Sequence, residues 1–333
     1  MTSSLYLPTD AVTGRATDFD LAADFLELAA FFSADSTVAT SDLANTASIA
    51  AAEDHDDLED EIDNGEEEIV SGAVNRLDLR ARLIGRCYPF ALDDGGDILT
   101  CTLHEESFGQ AAYALSLVLS NLESLSPILS GSPLHPANHE VRKLREYFQY
   151  FATAALAAEV SGDAWSFGFP RPDHSPFLDK LQQVWGVLCD GRVDAQIGAP
   201  TQPKDDQVDV FAARLHHDML PGFPLAAAQV ATGKNPAQKS LKGHLSAFKS
   251  RWFSTQPVTE FIAYMIVPFA IKDSEFVDDV RTMGNVLHRL RVPRRVAEAN
   301  QLVTNGRSKE GYEHLSEAAR WVAQYRLRGN TSA

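Results

Sequence analysis

The chain has 333 residues, 44 % of them apolar, and a net charge of −17, enough length and apolar content for one large or two medium packed domains. Its three cysteines, Cys87, Cys101 and Cys189, are too scattered for a zinc module or a disulfide framework, and they suit a reducing cytoplasm. The start, MTSSLYLPTD, lacks a basic stretch followed by an apolar run, and no apolar run approaches ~20 residues, so neither a signal peptide nor a membrane span is expected.

From Asp18 to Phe32 the apolar residues Leu21, Phe25, Leu28 and Phe32 recur at helical spacing. Residues 33–52 are rich in Ser, Thr, Ala and Asp and read as loose. Glu53 to Glu68, EDHDDLEDEIDNGEEE, holds eleven acids in sixteen residues; such a run is normally solvated, as a link or a charged helix. It lacks the glycine and glutamate placement of a calcium loop. Residues 70–86 read as a helix, Tyr88 to Cys101 as a hairpin turning at Asp-Asp-Gly-Gly, and Ser107–Leu129 as a helix. The proline-broken stretch Ser130 to Glu140 is the best boundary. It divides an acidic, mainly helical N-terminal region, 1–130, with a loose acidic segment near 33–68, from a core at 131–333.

From Asn138 the stripe Val141, Leu144, Phe148, Phe151 and Ala155 predicts a long helix ending near Gly162. SFGFPRPDHSPF reads as a loop, and FLDKLQQVWGVLCDG as an amphipathic helix stopped by Gly191. Two strands follow, one through VDVF and one ending at Gln229. A helix is predicted from Pro236 to about Phe253, with proline in its first turn, then a strand in TEFIAYMIVPF. The tail from Ser274 to Leu327 reads as helical, with breaks near Pro293 and Gly306. This order makes an α/β core with helices flanking a short sheet.

The segment from Lys204 to Lys239, KDDQVDVFAARLHHDMLPGFPLAAAQVATGKNPAQK, carries the chemistry. Asp209 shares a strand face with Phe211, and a lone carboxylate there is costly unless it is paired or bound to metal. Gln229 follows three alanines and can ligate a cation weakly or orient water. Lys234 and Lys239 come just after. An acid on one strand, an amide on the next and a nearby lysine is how a metal-dependent phosphodiesterase is built. Glu146, on the 138–160 helix, is a further candidate metal ligand. Lys242, Lys249 and Arg251, with His244 and Trp252, offer a basic face for backbone phosphates. Plainer readings stand beside each of these: an edge position for Asp209, a backbone partner for Gln229, surface lysines, and a solvated helix. Asp205 and Asp206 read as turn acids, and His216 and His217 as loop residues. Charge is uneven as well: residues 1–199 carry 11 Lys+Arg against 33 Asp+Glu, a net of −22, and residues 200–333 carry 18 against 13, a net of +5. A phosphate backbone would approach the C-terminal part.

The segments YPFALDDGGDIL, REYFQYFATAAL, KDDQVDVFA, QVATGKNPAQK and GNVLHRLRV together resemble the restriction-endonuclease-like PD-(D/E)xK superfamily, in a branch found among bacterial phage-defence proteins. VDVFA before a strand ending in QVA is similar to the pattern of methylation-dependent restriction enzymes, where a Gln-x-Lys tripeptide follows the Asp-bearing strand. The resemblance implies a restriction-endonuclease-like core, a short mixed sheet flanked by helices, with a helical tail. It implies Asp209 as the metal-binding acid and Gln229 as the second motif residue, with Mg²⁺ or Mn²⁺ as cofactor. Ala231 stands where the motif has lysine, so Lys239 or Lys234 would replace it, and Gln149 stands where the first helix has Glu.

The implied function is metal-dependent hydrolysis of DNA, with RNA left open, by a nuclease or nuclease subunit of a defence system. A partner protein or a second copy of the chain would accompany it. Ala231 and Gln149 equally fit an inactive nuclease-fold scaffold that serves a partner ATPase or nuclease. A third reading takes the Glu53–Glu68 run as a DNA mimic.

Overall fold

The computed structural model describes residues 18–43, 59–122, 136–201, 203–233, 235–304, 306 and 309–328, with side chains in the helix that begins at Glu59 described from residue 67. The chain divides into two compact units, Met1–Leu144 with Glu317–Ala333, and Arg145–Ser316. The division falls inside the long helix that starts at Asn138, later than the proline-broken stretch, and the end of the chain returns to the first unit. No helix among the described residues is long and apolar enough to cross a membrane.

The first unit holds α1 (Phe19–Phe32), β1 (Thr37–Ala39), α2 (Glu59–Ile84), β2 (Phe90–Leu92), β3 (Ile98–Cys101) and α3 (Phe108–Asn121). Asp18 caps α1 by accepting from the Asp20 and Leu21 amides. The expected hairpin forms: β2 and β3 are antiparallel, and β1 adds to the other side of β3. The Asp93 carboxylate closes the turn by accepting from the Asp97 and Ile98 amides at 2.8 and 3.0 Å. The second half of the acidic run is helical, not loose, because α2 begins at Glu59; Glu53 to Leu58 lie outside the described residues. The core of this unit contains a polar knot. Arg80, 1 % exposed, pairs with Asp24 at 2.8 Å and Glu27 at 2.9 Å. The Tyr88 and Tyr113 hydroxyls donate to Glu27. Burial and these partners account for the knot's charges.

The second unit is α/β: a five-stranded mixed sheet flanked by helices. Most of α4 (Asn138–Val160) opens it. Then come β4 (Asp163–Ser166), α5 (Phe177–Leu188), β5 (Arg192–Val193), β6 (Val210–Ala213), β7 (Leu225–Val230), α6 (Leu245–Trp252), β8 (Phe253–Thr255), β9 (Phe261–Ile266), α7 (Asp273–Met283), β10 (Asn285–Leu287) and α8 (Val292–Thr304). The helix α9 (Leu315–Arg326) starts at the end of this unit. The sheet order is β10-β9-β7-β6-β4. β4, β6 and β7 run antiparallel in succession, and β9 and β10 are parallel to β7. The crossover from β7 to β9 contains α6, as a parallel connection requires.

Alternation along β6 and β7 sends Phe211, Ala213, Leu225 and Ala227 into an aromatic core with Trp185, Phe248 and Trp252. The Phe211 ring lies edge-on to Trp185 and Phe167, with centroids 5.0 and 5.2 Å apart. Burying each such ring contributes about 1.5–3 kcal/mol. The short alanines of β7 let its neighbours pack closely.

Three expectations are corrected. The helix from Pro236 does not run to Phe253: a 3-10 turn covers Pro236–Lys239, Ser240 turns extended, and α6 starts at Leu245. Ser240 Oγ donates to the Thr282 carbonyl at 2.9 Å, which holds that break. The C-terminal tail is not all helix, because Gly284 ends α7 at φ 88° and β10 follows. A Cβ there would stand 2.7 Å from the Ala263 carbonyl oxygen, so the strand approach needs glycine. Pro293 begins α8 rather than breaking a helix.

Candidate functional site

Asp209 immediately precedes β6, and its amide donates to the Ala228 carbonyl at 2.9 Å. The register that pairs Val210 with Ala228 sets Asp209 opposite Gln229. Side chains opposite each other on an antiparallel pair share a face, so carboxylate and amide meet. Gln229 Nε2 donates to Asp209 Oδ2, and the Val230 amide donates to the same oxygen at 2.8 Å. Both donors converge on Oδ2. Oδ1 accepts from neither of these donors, in a residue that is 7 % exposed.

The Asp209 backbone is held equally firmly. Its carbonyl accepts from the Phe167 amide at 2.7 Å, the Gly168 amide at 3.0 Å and Gln149 Nε2 at 3.0 Å. Gln149 lies against Gly168, where a Cβ would come within 2.8 Å of its Cδ. The Gln149 side chain thus clamps the strand's start rather than standing as a weakened acid.

Burial drives the Asp209 carboxyl up to about 8; the Val230 amide opposes this, Asp205 adds to it and the Lys239 ammonium opposes it. Lys239 is exposed at the end of the 3-10 turn and makes no ion pair among the described residues. Its charge therefore acts on the same carboxylate as the cross-strand amide. Ala231, two residues after Gln229, is 1 % exposed and packs with Met265, Val267 and Met283. An ammonium would be desolvated there. The lysine charge reaches Asp209 from outside the sheet instead.

The other predicted residues fall elsewhere. The Glu146 carboxylate accepts from Tyr150 Oη at 2.7 Å, with the Tyr150 ring stacked on His314. The charges acting on Asp209 are Asp205 and Lys239, not Glu146, so α4 contributes Gln149 in its place. Lys234 lies outside the described residues. Arg251 and Trp252 both donate to the Asp206 carboxylate, at 2.5 and 2.6 Å; this turn acid anchors α6 and takes up the Arg251 charge. Lys242 donates to the Arg281 carbonyl at 2.7 Å, and Lys249 faces Glu260 at 3.4 Å. Both lysines line a groove of about 420 Å³ with Leu245, Phe261, Ala263 and Gly284. Phe261 pairs with Leu225 and Met265 with Gln229. The groove thus borders the start of β9, four residues or about 13 Å along the strand from the Asp209 level.

A second charged cluster was not anticipated. Lys180 on α5 is fully buried and donates to Asp173 and, at 2.6 Å, to Glu310. Glu310 also accepts from the Ser166 amide at 3.0 Å, on the edge strand β4. Burial pushes the Asp173 carboxyl up, but Lys180 and the Ser175 hydroxyl and amide outweigh this and bring it to about 2. A lysine on the apolar face of an amphipathic helix was the available signal.

Among the described residues no three His, Cys, Asp or Glu side chains gather as a metal site. Oxygen donors are nevertheless present in Asp209 Oδ1 and the Gln229 carbonyl, with Asp205 near enough to act on Asp209. Hard oxygen donors with one or two carboxylates suit Mg²⁺, which keeps several of its waters. The chain matches no family model, no curated protein and no solved structure.

Proposed function

We propose that the chain is a metal-dependent nuclease, or the nuclease subunit of an anti-phage defence complex, acting in the cytoplasm on phosphodiesters of DNA. The observation that carries this reading is the meeting of Asp209 with Gln229 across β6 and β7 while the Lys239 charge acts on the same carboxylate. The order of elements supports it too: α4, the antiparallel strands β4, β6 and β7, α6 and the parallel strand β9 follow in the order such a core would have, with α5 and β5 inserted after β4 and β8 after α6. Asp209 Oδ1 and the Gln229 carbonyl would hold Mg²⁺ or Mn²⁺. When bound, such a cation polarises the phosphate and lowers the pKa of its water. Gln229 and the Val230 amide fix the carboxylate through Oδ2, which leaves Oδ1 for the cation. Lys239 offsets negative charge arriving with the phosphate.

The inactive-scaffold reading is favoured by one observation, the buried Ala231 where the motif has lysine. Cleavage of plasmid DNA with Mg²⁺ or Mn²⁺ separates the two. The nuclease reading expects cleavage by the pure protein that is lost in Asp209→Ala. Equal cleavage by the variant removes this site. Absence of cleavage by both, with a partner ATPase or nuclease co-purifying, establishes the scaffold.

A further inference from the structure

Of the three phenylalanines between β4 and the first residue of α5, two are buried and one is turned outward. Phe167 is fully buried and Phe177 is 2 % exposed, whereas Phe169 is 59 % exposed. Leaving a ring in water forgoes the free energy of burying it. Phe169 directly follows Gly168, whose amide donates to the Asp209 carbonyl at 3.0 Å. The loop that carries the ring is therefore tied through its backbone to the start of β6. The Lys204 ammonium lies 5.5 Å from the ring centroid; Lys204 is exposed and makes no ion pair among the described residues.

Phe169 and Lys204 come from different segments, and one guanidinium bonds the backbone of both segments. Arg171, 6 % exposed, donates through Nε to the Ser175 carbonyl at 2.6 Å and through Nη1 to the Phe167 carbonyl at 3.3 Å. The same Nη1 donates to the Lys204 carbonyl. Backbone carbonyls on both sides of the ring and lysine pair are thus tied to a single planar group. An exposed aromatic that is also pre-positioned suits a ligand with a flat face and a negative charge.

We propose that Phe169 with Lys204 is a stacking platform for an unpaired base, Lys204 meeting a flanking phosphate, so that the strand entering the Asp209 site is single-stranded or locally unpaired nucleic acid. The proposal deepens the nuclease reading and rests on it for the identity of the ligand. Bases inside a duplex keep their faces stacked on one another, so a protruding ring finds no base face there. In single strands, base stacking on aromatic side chains tolerates any sequence, and a lysine alongside adds the backbone contribution. Lys204 beside the ring and Lys239, whose charge acts on Asp209, give the charge that a single backbone needs.

The test is fluorescence anisotropy with a labelled single strand of about 15 nucleotides and the matching duplex, in EDTA so that no cleavage intervenes. The expected result is tighter binding of the single strand, weakened about tenfold by Phe169→Ala, retained by Phe169→Trp, with unchanged melting temperatures. Absence of single-strand binding, preference for the duplex, or equal binding by Phe169→Ala overturns the platform. If cleavage fails while Phe169-dependent binding holds, the nuclease reading falls and the platform stands; if cleavage holds and Phe169→Ala binds normally, the reverse is true.

Discussion

Asp209 and Gln229 stand opposite each other on the β6–β7 ladder, and the glutamine amide donates to the aspartate's Oδ2, where the Val230 amide also arrives. Two donors on one oxygen leave the proton, or an ion that replaces it, to Oδ1. Burial keeps that proton in place up to about pH 8. A proton and a cation therefore compete for one oxygen.

Stability should record this proton. The unfolded chain releases it near the ordinary value of 3.8, and the folded chain keeps it to about 8. Between those limits the unfolded state binds fewer protons, so the Asp209 contribution to stability falls as pH rises through this window. Urea unfolding at pH 5 and pH 8 is expected to show a loss in the parent protein that Asp209→Asn lacks. His288, which burial beside Arg291 and Arg289 holds down to about 3, slopes the opposite way below its ordinary value of 6.5. The comparison between parent and variant isolates Asp209.

Restoring the motif lysine should harm the protein. Ala231 lies in the apolar cluster of Met265, Val267 and Met283, and a longer, charged side chain there costs about 1–3 kcal/mol for overpacking and more for the buried ammonium. Thermal denaturation of Ala231→Lys is expected to show a melting temperature lower by several degrees, without a gain in cleavage. A stable and more active variant would contradict the place given to Lys239.

Lys239→Ala should separate charge from packing. The side chain is exposed, so the melting temperature is expected to stay within about 1 °C, as for surface substitutions. Its positive charge holds Asp209 down, so the pH at which Asp209 ionises is expected to rise, read by NMR titration of that carboxyl. Cleavage is expected to fall about 10–100-fold.

Lys180→Met addresses the second cluster. Removing a buried ammonium from Asp173 and Glu310 costs toward the lower end of about 3–5 kcal/mol, because both carboxylates reach solvent. Urea unfolding should show the loss as a lower midpoint with an unchanged slope.

Local patterns in the chain announced much of this. The helical stripe at Leu144, Phe148 and Phe151, the strand around Phe211, the alanine-rich β7 and the Asp93 hairpin follow from periodicity and turn residues alone. β4 and β10 were not legible, since each is three or four residues long and is defined by its neighbour in the sheet. The Asp209–Gln229 meeting was legible because strand register fixes faces. Glu146 was misplaced because helix spacing alone does not say which turn reaches a strand, and Gln149 reaches it. Lys180 was marked by its place on the apolar face of α5, whereas the meeting of Arg171 and Phe169 with Lys204, far along the chain, has no local pattern to mark it.

Titration of the full chain with Mn²⁺ by calorimetry at pH 7, in buffers of different ionisation enthalpy, tests the ion site most directly. The result expected is one binding event that releases close to one proton per ion as Oδ1 exchanges proton for metal, and that disappears in Asp209→Asn. Absence of binding, or binding that Asp209→Asn leaves intact, would contradict the meeting of Asp209 and Gln229 as a cation site.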